Sequence, residues 1–301
     1  LVLHERYFAL PRGVLRYYAN RFFRVYPAYL AALLFSAAVI MTYPDQSYEL
    51  FPVLKILPDL EAWIRNLTIV GLLDMWGNSW MVRLIPQAWS LDTEVTFWLL
   101  MPLLCRSRDW LLGWTLFSLF VTGATYGFGA KDDITYYSPI GASFTFCAGA
   151  WLYHLRRKGW RMPWALSVIS FAGFGLTVTA GNWLFADVYS EGLYTAAILQ
   201  CGVIYTLSGL SARTLPPLLV KLDRFLGNIS YPLFLVHWTV GTLVVVFYGD
   251  TRPDWAGLLA LIILCSHPVA FLLWYAVDHP LETLRIRIGK KQHAPAGTAG
   301  A

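Results

Sequence analysis

The chain has 301 residues, of which 57% are hydrophobic and only 14% are charged, and its formal net charge is +5. Soluble domains are roughly 45–50% apolar and about 25% charged, so this composition excludes a disordered chain and argues against one soluble globule. The composition predicts an all-α, polytopic membrane protein. Its positive charge then indicates cytoplasmic loops, with no nucleic acid as a partner.

Eight apolar stretches are long enough to span the hydrocarbon core as helices, which takes about 17–25 residues. They are 25–42, 89–105, 110–127, 139–155, 163–181, 192–210, 229–248 and 254–277. The second stretch is the weaker candidate because Asp92 and Glu94 lie inside it. Asn228 and Ser230 are predicted to cap the seventh, since Asn and Ser are favoured at the start of a helix.

Lys and Arg residues collect in cytoplasmic loops and so set the orientation of a membrane protein. With the N-terminus of the chain inside, 18 of its 23 Lys and Arg residues fall on the cytoplasmic side. Both termini are therefore predicted to be cytoplasmic. The connection 43–88 then lies outside, where residues 50–67 form either a helix on the membrane surface or a roof over a cavity.

Ionisable residues inside spans are costly, and each is a candidate functional group by default. The candidates are Asp92, Glu94, His237 and His267. Structural alternatives stay open for three of them. Glu94 is equally suited to locking helices together as a buried hydrogen-bonding group, and His237 to donating to a backbone carbonyl. His267 precedes Pro268 and is suited to occupying the kink there.

A basic cluster precedes the first span and contains Arg16, Arg21 and Arg24 among aromatic residues. Arg21 and Arg24 are three residues apart, so they share one face of a helix. Guanidinium forks suit phosphate groups. The same arginines also suit a positive-inside anchor. The pattern leaves both interpretations open, and no soluble nucleotide-binding or hydrolase motif accompanies it.

Three of these segments together resemble signature stretches of the acyltransferase-3 family of integral-membrane acyltransferases. They are RFFRVYPAYL, AWSLDTEVTFWLLMPLL and LGNISYPLFLVHW. FTFCAGAWLYHLRRK and YAVDHPLETLRIR resemble two further family stretches, the second with Asp278 in place of the more usual Glu. The resemblance implies a ten-span bundle, of which this chain holds eight spans, in a single domain over 1–288 with a disordered tail over 289–301.

For function, the resemblance implies transfer of an acyl group, usually acetyl, from acetyl-CoA or another coenzyme A thioester in the bacterial cytoplasmic membrane. The acceptor would be a hydroxyl of a cell-envelope carbohydrate, a lipid-linked sugar or a glycosylated metabolite, and no metal is expected. Carried onto this sequence, the implied roles are catalysis for Glu94 and His237, substrate binding for Trp89, Ser90, Asp92 and Tyr231, and donor binding for Arg16, Arg21 and Arg24.

The first span of the family carries an Arg and an essential His, and no position in this chain matches them. His4 follows the expected site of that span and is not its counterpart. The resemblance therefore implies that the first two spans are missing and that the chain is inactive alone.

The predicted topology places Glu94 near the outer face and Arg24 near the inner one, about 20–25 Å apart across a roughly 30 Å core. It therefore predicts a channel through the bundle that joins the two. A proton-coupled transporter or flippase of a sugar-containing substrate is the first alternative, since such carriers also use intramembrane Glu and His. A non-catalytic scaffold is the second. The absence of an internal repeat counts against the transporter.

Overall fold

The computed structural model describes residues 13–55, 59–72, 83–104, 107–127, 139–185, 191–210, 215–249 and 254–290. Within these ranges the chain is helical and contains no strand, so the predicted all-α class is confirmed. The helices are α1 Gly13–Thr42, α2 Pro44–Leu50, α3 Leu60–Thr68, α4 Ala88–Leu104, α5 Arg108–Gly127, α6 Pro139–Arg157, α7 Trp164–Leu184, α8 Leu193–Leu207, α9 Pro217–Tyr248, α10 Trp255–Leu273, a π-helical turn Trp274–Asp278, and α11 His279–Lys290.

Each of the eight predicted spans coincides with one of these helices, but the count of eight spans is not confirmed. In the described part of the chain, four helical stretches are long and apolar enough to cross a membrane: α1, α7, α9 and Trp255–Ile286. Helix α4 has only 17 residues and contains both Asp92 and Glu94, and α8 has 15 residues. Of the predicted tail 289–301, the first two residues belong to α11, which ends at Lys290. The rest of the predicted tail lies outside the described residues.

The chain forms two compact units, which we describe separately. The first unit contains α5–α8, the end of α4 from Leu99 and the start of α9 up to Leu222. In this unit α7 packs closely on α8, because a Cβ atom at Gly202 would lie only 2.0 Å from the Ser170 hydroxyl oxygen. Small residues at such a contact allow two helix backbones to approach each other.

The second unit contains α1–α3, α4 up to Trp98, α9 from Asp223, α10, the π turn and α11. Helix α1 is packed against α2, α3, α10, the π turn and α11. Its buried residues recur every three or four positions, which is the spacing of one helix face. They include Val25, Ala28, Tyr29, Ala32, Leu33, Ser36, Ala37 and Ile40. The small side chains among them allow close packing.

The long connection between α1 and α4 folds back along α1. The Tyr29 hydroxyl donates to the Asn66 carbonyl at 2.6 Å, and the Ser36 hydroxyl donates to the Leu84 carbonyl. At 1.5 Å per residue, Tyr29 lies about 20 Å before the end of α1. The end of α3 therefore lies beside the middle of α1. Leu84, four residues before the start of α4, lies beside Ser36, further along the same helix.

Two helices start earlier than the apolar runs predict. Helix α9 begins at Pro217, so Asn228 and Ser230 lie inside it and the prediction that they cap it is wrong. The Ser230 hydroxyl instead donates to the Gly227 carbonyl at 3.0 Å. Helix α1 begins at Gly13, so the arginines before its apolar part are helical. Polar residues at the ends of these long helices hide the true boundaries from a hydropathy-based prediction.

The last long helical stretch changes its geometry at the π turn Trp274–Asp278. Pro280 has no amide hydrogen, and in an α-helix its ring would clash with the carbonyl of Ala276, four residues earlier. The chain makes one wider turn here, in which the His279 amide donates to the Trp274 carbonyl five residues back. Such turns occur mostly as single interruptions of α-helices, frequently at functional sites.

Candidate functional site

Charged side chains from α1, α4, the π turn and α11 meet within the second unit. They are Arg21, Arg24, Glu94, Asp278 and Arg285, and we call them the arginine–carboxylate cluster. Glu94 interacts electrostatically with Arg21 and Arg24, and Asp278 with Arg24 and Arg285. Arg24 is the shared member, because it also lies within electrostatic reach of Arg285. Residues that are far apart in the sequence thus form one charged site.

Aromatic side chains hold Arg21 in this site. Its guanidinium carbon lies 5.3 Å from the centroid of a Trp98 ring on α4 and 5.7 Å from the centroid of the Tyr17 ring on α1. Such cation–π contacts contribute roughly 0.5–2 kcal/mol, more where the charge is desolvated. Trp98 also hydrogen-bonds to the Glu94 carboxylate. One indole therefore positions both a cation and an anion of the cluster.

Tyr231 attaches α9 to the same site. Its hydroxyl donates to the Val25 carbonyl of α1 at 3.1 Å. The Tyr231 side chain also interacts electrostatically with Glu94, Asp278 and Arg24. The predicted substrate-binding tyrosine thus lies beside both carboxylates of the cluster.

The expected distance of about 20–25 Å between Glu94 and Arg24 is wrong, because the two side chains lie within electrostatic reach of each other. The cause is the fold-back of the connection along α1. The connection contacts α1 at Ser36 just before α4 starts, and Glu94 of α4 then lies within electrostatic reach of the arginines instead of at the opposite end of a span. One compact site holds both residues, and a channel through the bundle is not needed to connect them.

Comparison with known proteins gives the family. The family model described as an acyltransferase domain matches residues 1–276. The chain belongs to the acyltransferase-3 family. Membership supports acyltransferase activity and a membrane location. Neither the curated proteins nor the solved structures gave a match to this acyltransferase-3 chain.

The remaining predicted residues of the acyltransferase-3 chain lie near the start of α4 and of α1. Asp92 is buried and interacts electrostatically with Tyr29. The Ser90 hydroxyl donates to the Gln87 carbonyl at 2.9 Å, and the Gln87 side chain donates to the Phe234 carbonyl of α9. These bonds fix the first turn of α4 against α9. The ligand-binding roles of Arg16, Trp89, Ser90 and Asp92 stay predictions.

His237 lies in a different pocket of the second unit, which we call the histidine pocket. This pocket of about 330 Å³ is lined by residues of α9 and α10, including His237, His267 and Ser266. Nδ1 of His237 lies 2.9 Å from the Phe234 carbonyl, and Nδ1 of His267 lies 2.7 Å from the Ile263 carbonyl. The His237 bond fits the structural alternative for that residue. The kink expected at Pro268 stays a prediction. No described contact joins His237 to the arginine–carboxylate cluster, so its catalytic role stays a prediction.

Three residues of the site were missed by the sequence prediction: Trp98, Asp278 and Arg285. Trp98 follows Glu94 by four residues and therefore shares its helix face. Arg285 follows Asp278 by seven residues, in the same segment that carries the family resemblance, and this spacing also indicates one face. The described residues contain no group of three or more His, Cys, Asp or Glu side chains that could hold a metal ion.

Proposed function

We propose that the protein is a membrane-bound O-acyltransferase that moves an acyl group, typically acetyl, from a coenzyme A thioester to a hydroxyl group. The acceptor class is a cell-envelope carbohydrate, a lipid-linked sugar or a glycosylated metabolite, and the location is the bacterial cytoplasmic membrane. The observation that carries the proposal is the arginine–carboxylate cluster inside a chain of the acyltransferase-3 family.

The arginines of the cluster support the proposal that the donor is a coenzyme A thioester. Coenzyme A carries several phosphate groups, and guanidinium groups bind phosphate through charge-assisted, often paired hydrogen bonds. Arg21 and Arg24 lie on one helix face, and no carboxylate oxygen lies within 4 Å of either among the described residues. The charge bias of the loops favours a cytoplasmic location for this end of α1, on the side where coenzyme A is found.

The carboxylates of the cluster support the proposal that the acyl group is transferred to a hydroxyl at this site. The acceptor oxygen attacks the thioester carbonyl, a C–O bond forms and the C–S bond breaks. The hydroxyl proton passes to a base, which then gives it to the departing sulfur of coenzyme A. Glu94 is suited to orienting that base or the acceptor hydroxyl, with Tyr231 beside it. The base itself would be the family's first-span His, which has no counterpart in this chain.

The test is transfer of labelled acetyl groups from acetyl-CoA by membranes that contain the protein. We expect label in the carbohydrate fraction, and loss of that label in Arg24→Ala and in Glu94→Ala. Arg224→Ala is the matched control, because Arg224 is exposed on α9 and has no described contact with the cluster.

Full transfer in both cluster variants would refute this assignment of the site. Movement of a labelled sugar across the membrane without acylation would instead support the transporter or flippase.

A further inference from the structure

We infer that Arg285 of α11 is a third phosphate-binding residue of the donor site, so that Arg21, Arg24 and Arg285 surround one phosphate group. The inference rests on the proposed function, because it takes the donor to be a coenzyme A thioester. It adds a residue that lies beyond the matched part of the chain, residues 1–276.

Helix packing brings this residue to the first helix. Helix α1 packs against both the π turn and α11, so the two ends of the described chain lie side by side. Arg285 is only partly exposed, and its guanidinium group lies within electrostatic reach of Arg24 and Arg21. The positive charges of these arginines repel each other. An anion bound between them would attract each arginine and so offset that repulsion.

The carboxylates nearby do not neutralise these cations by direct contact. Among the described residues, no salt bridge within 4 Å involves Arg21, Arg24 or Arg285. Asp278 and the exposed Glu282 interact with Arg285 only at longer range. Its Nε atom is buried and has no hydrogen-bond partner among the described groups. A buried charged donor without a partner is unfavourable, and a phosphate oxygen would provide one.

Asp278 has a positioning role in this arrangement. It interacts with both Arg285 and Arg24, and so attracts α11 and α1 towards each other despite the repulsion between the two arginines. One of its oxygens, Oδ1, is buried without a hydrogen-bond partner. The carboxylate thus attracts both cations without a direct salt bridge to either of them.

Two sources supply the same chemistry, a phosphate of coenzyme A and the phosphate headgroup of a membrane lipid. The experiment uses the purified chain in nanodiscs of phosphatidylcholine, with the affinity for coenzyme A measured by calorimetry. We expect Arg285→Gln to weaken coenzyme A binding by about 10- to 100-fold, the usual range for a charged hydrogen bond. Arg285→Lys should restore part of the affinity, and the control Arg224→Gln should change it by less than about twofold.

Arg24→Gln combined with Arg285→Gln tests whether the two residues share one phosphate. We expect the double variant to lose less affinity than the product of the single losses, because residues that contact one ligand group are coupled. The unfolding temperature without ligand should stay near that of the wild type in Arg285→Lys, which separates binding from folding.

If Arg24→Gln weakens binding and neither Arg285 variant does, the inference about Arg285 is overturned while the proposed donor stands. If the wild-type chain does not bind coenzyme A at all, the proposed donor itself is overturned. If Arg285→Gln leaves coenzyme A binding intact but removes co-purifying phosphatidylglycerol, the third arginine binds a lipid headgroup and the inference is also overturned.

Discussion

The arginine–carboxylate cluster and the histidine pocket lie in the same unit and are built in opposite ways. The cluster collects charges from α1, α4, the π turn and α11, which are distant in sequence. The pocket is lined by α9 and α10 alone, and each of its imidazoles bonds to a carbonyl of its own helix. Long-range packing therefore brings the charges of the cluster together, whereas Nδ1 of each histidine already bonds to its own helix.

The helices around the two sites also differ in how much of their own apolar part is buried. In an apolar segment of 18 residues, 50% is buried in α1 and 56% in α9, against 17% in the stretch Trp255–Ile286, which includes α10. Each site therefore combines a well-packed helix with this largely exposed stretch. The cluster joins α1 to Asp278 and Arg285, and the histidine pocket joins α9 to α10.

The largest expected effect separates the two halves of the cluster. Glu94→Gln keeps the shape of the side chain and removes its charge, so we expect acetyl transfer to fall by about 100-fold or more, as for a positioned acid or base. Coenzyme A affinity should change by less than about threefold, because the arginines remain. Initial rates and calorimetry check both values, with exposed Asp223→Asn on α9 as the control.

If Glu94→Gln changes acetyl transfer little but lowers the unfolding temperature strongly, Glu94 stabilises the packing of the helices and does not act in the transfer. That outcome would leave the cluster as a structural feature, similar in kind to the histidine pocket.

A smaller effect concerns the bond between α9 and α1. Tyr231→Phe removes the hydrogen bond to the Val25 carbonyl, which should cost about 1 kcal/mol and lower the unfolding temperature by roughly 2 °C. Thermal unfolding in detergent measures this shift. Tyr275→Phe is the matched control, since Tyr275 is exposed and its hydroxyl has no described hydrogen bond. Equal shifts in both variants would show that the bond does not stabilise the site.

The smallest effect on donor binding is expected in the histidine pocket. His237→Gln should change coenzyme A affinity by less than about twofold, because no described contact joins it to the cluster. The same variant in the transfer assay decides whether the predicted catalytic role is correct. A loss of donor affinity as large as that of Arg24→Gln would show that the two sites act as one.

The sequence predicts the helices well but not where their side chains meet. Apolar runs locate α1 and α9, and the spacing of Arg21 and Arg24 predicts their shared face. The fold-back along α1 depends on bonds such as Tyr29 to Asn66, which join residues 37 positions apart and leave no periodic signal. The packing of α11 on α1 also joins segments that are far apart in the sequence. The sequence therefore indicates only that Arg285 follows Asp278 by seven residues, and not that it lies near Arg24.

The π turn has a consequence for the register of the last helix. An α-helix rotates by about 100° per residue, and the π turn accommodates one surplus residue between α10 and α11. Deleting a single residue from Trp274–Asp278 would turn α11 by roughly that angle and swing Arg285 away from the first helix, with α10 unchanged. The one additional residue in this turn therefore orients Arg285 towards Arg21 and Arg24.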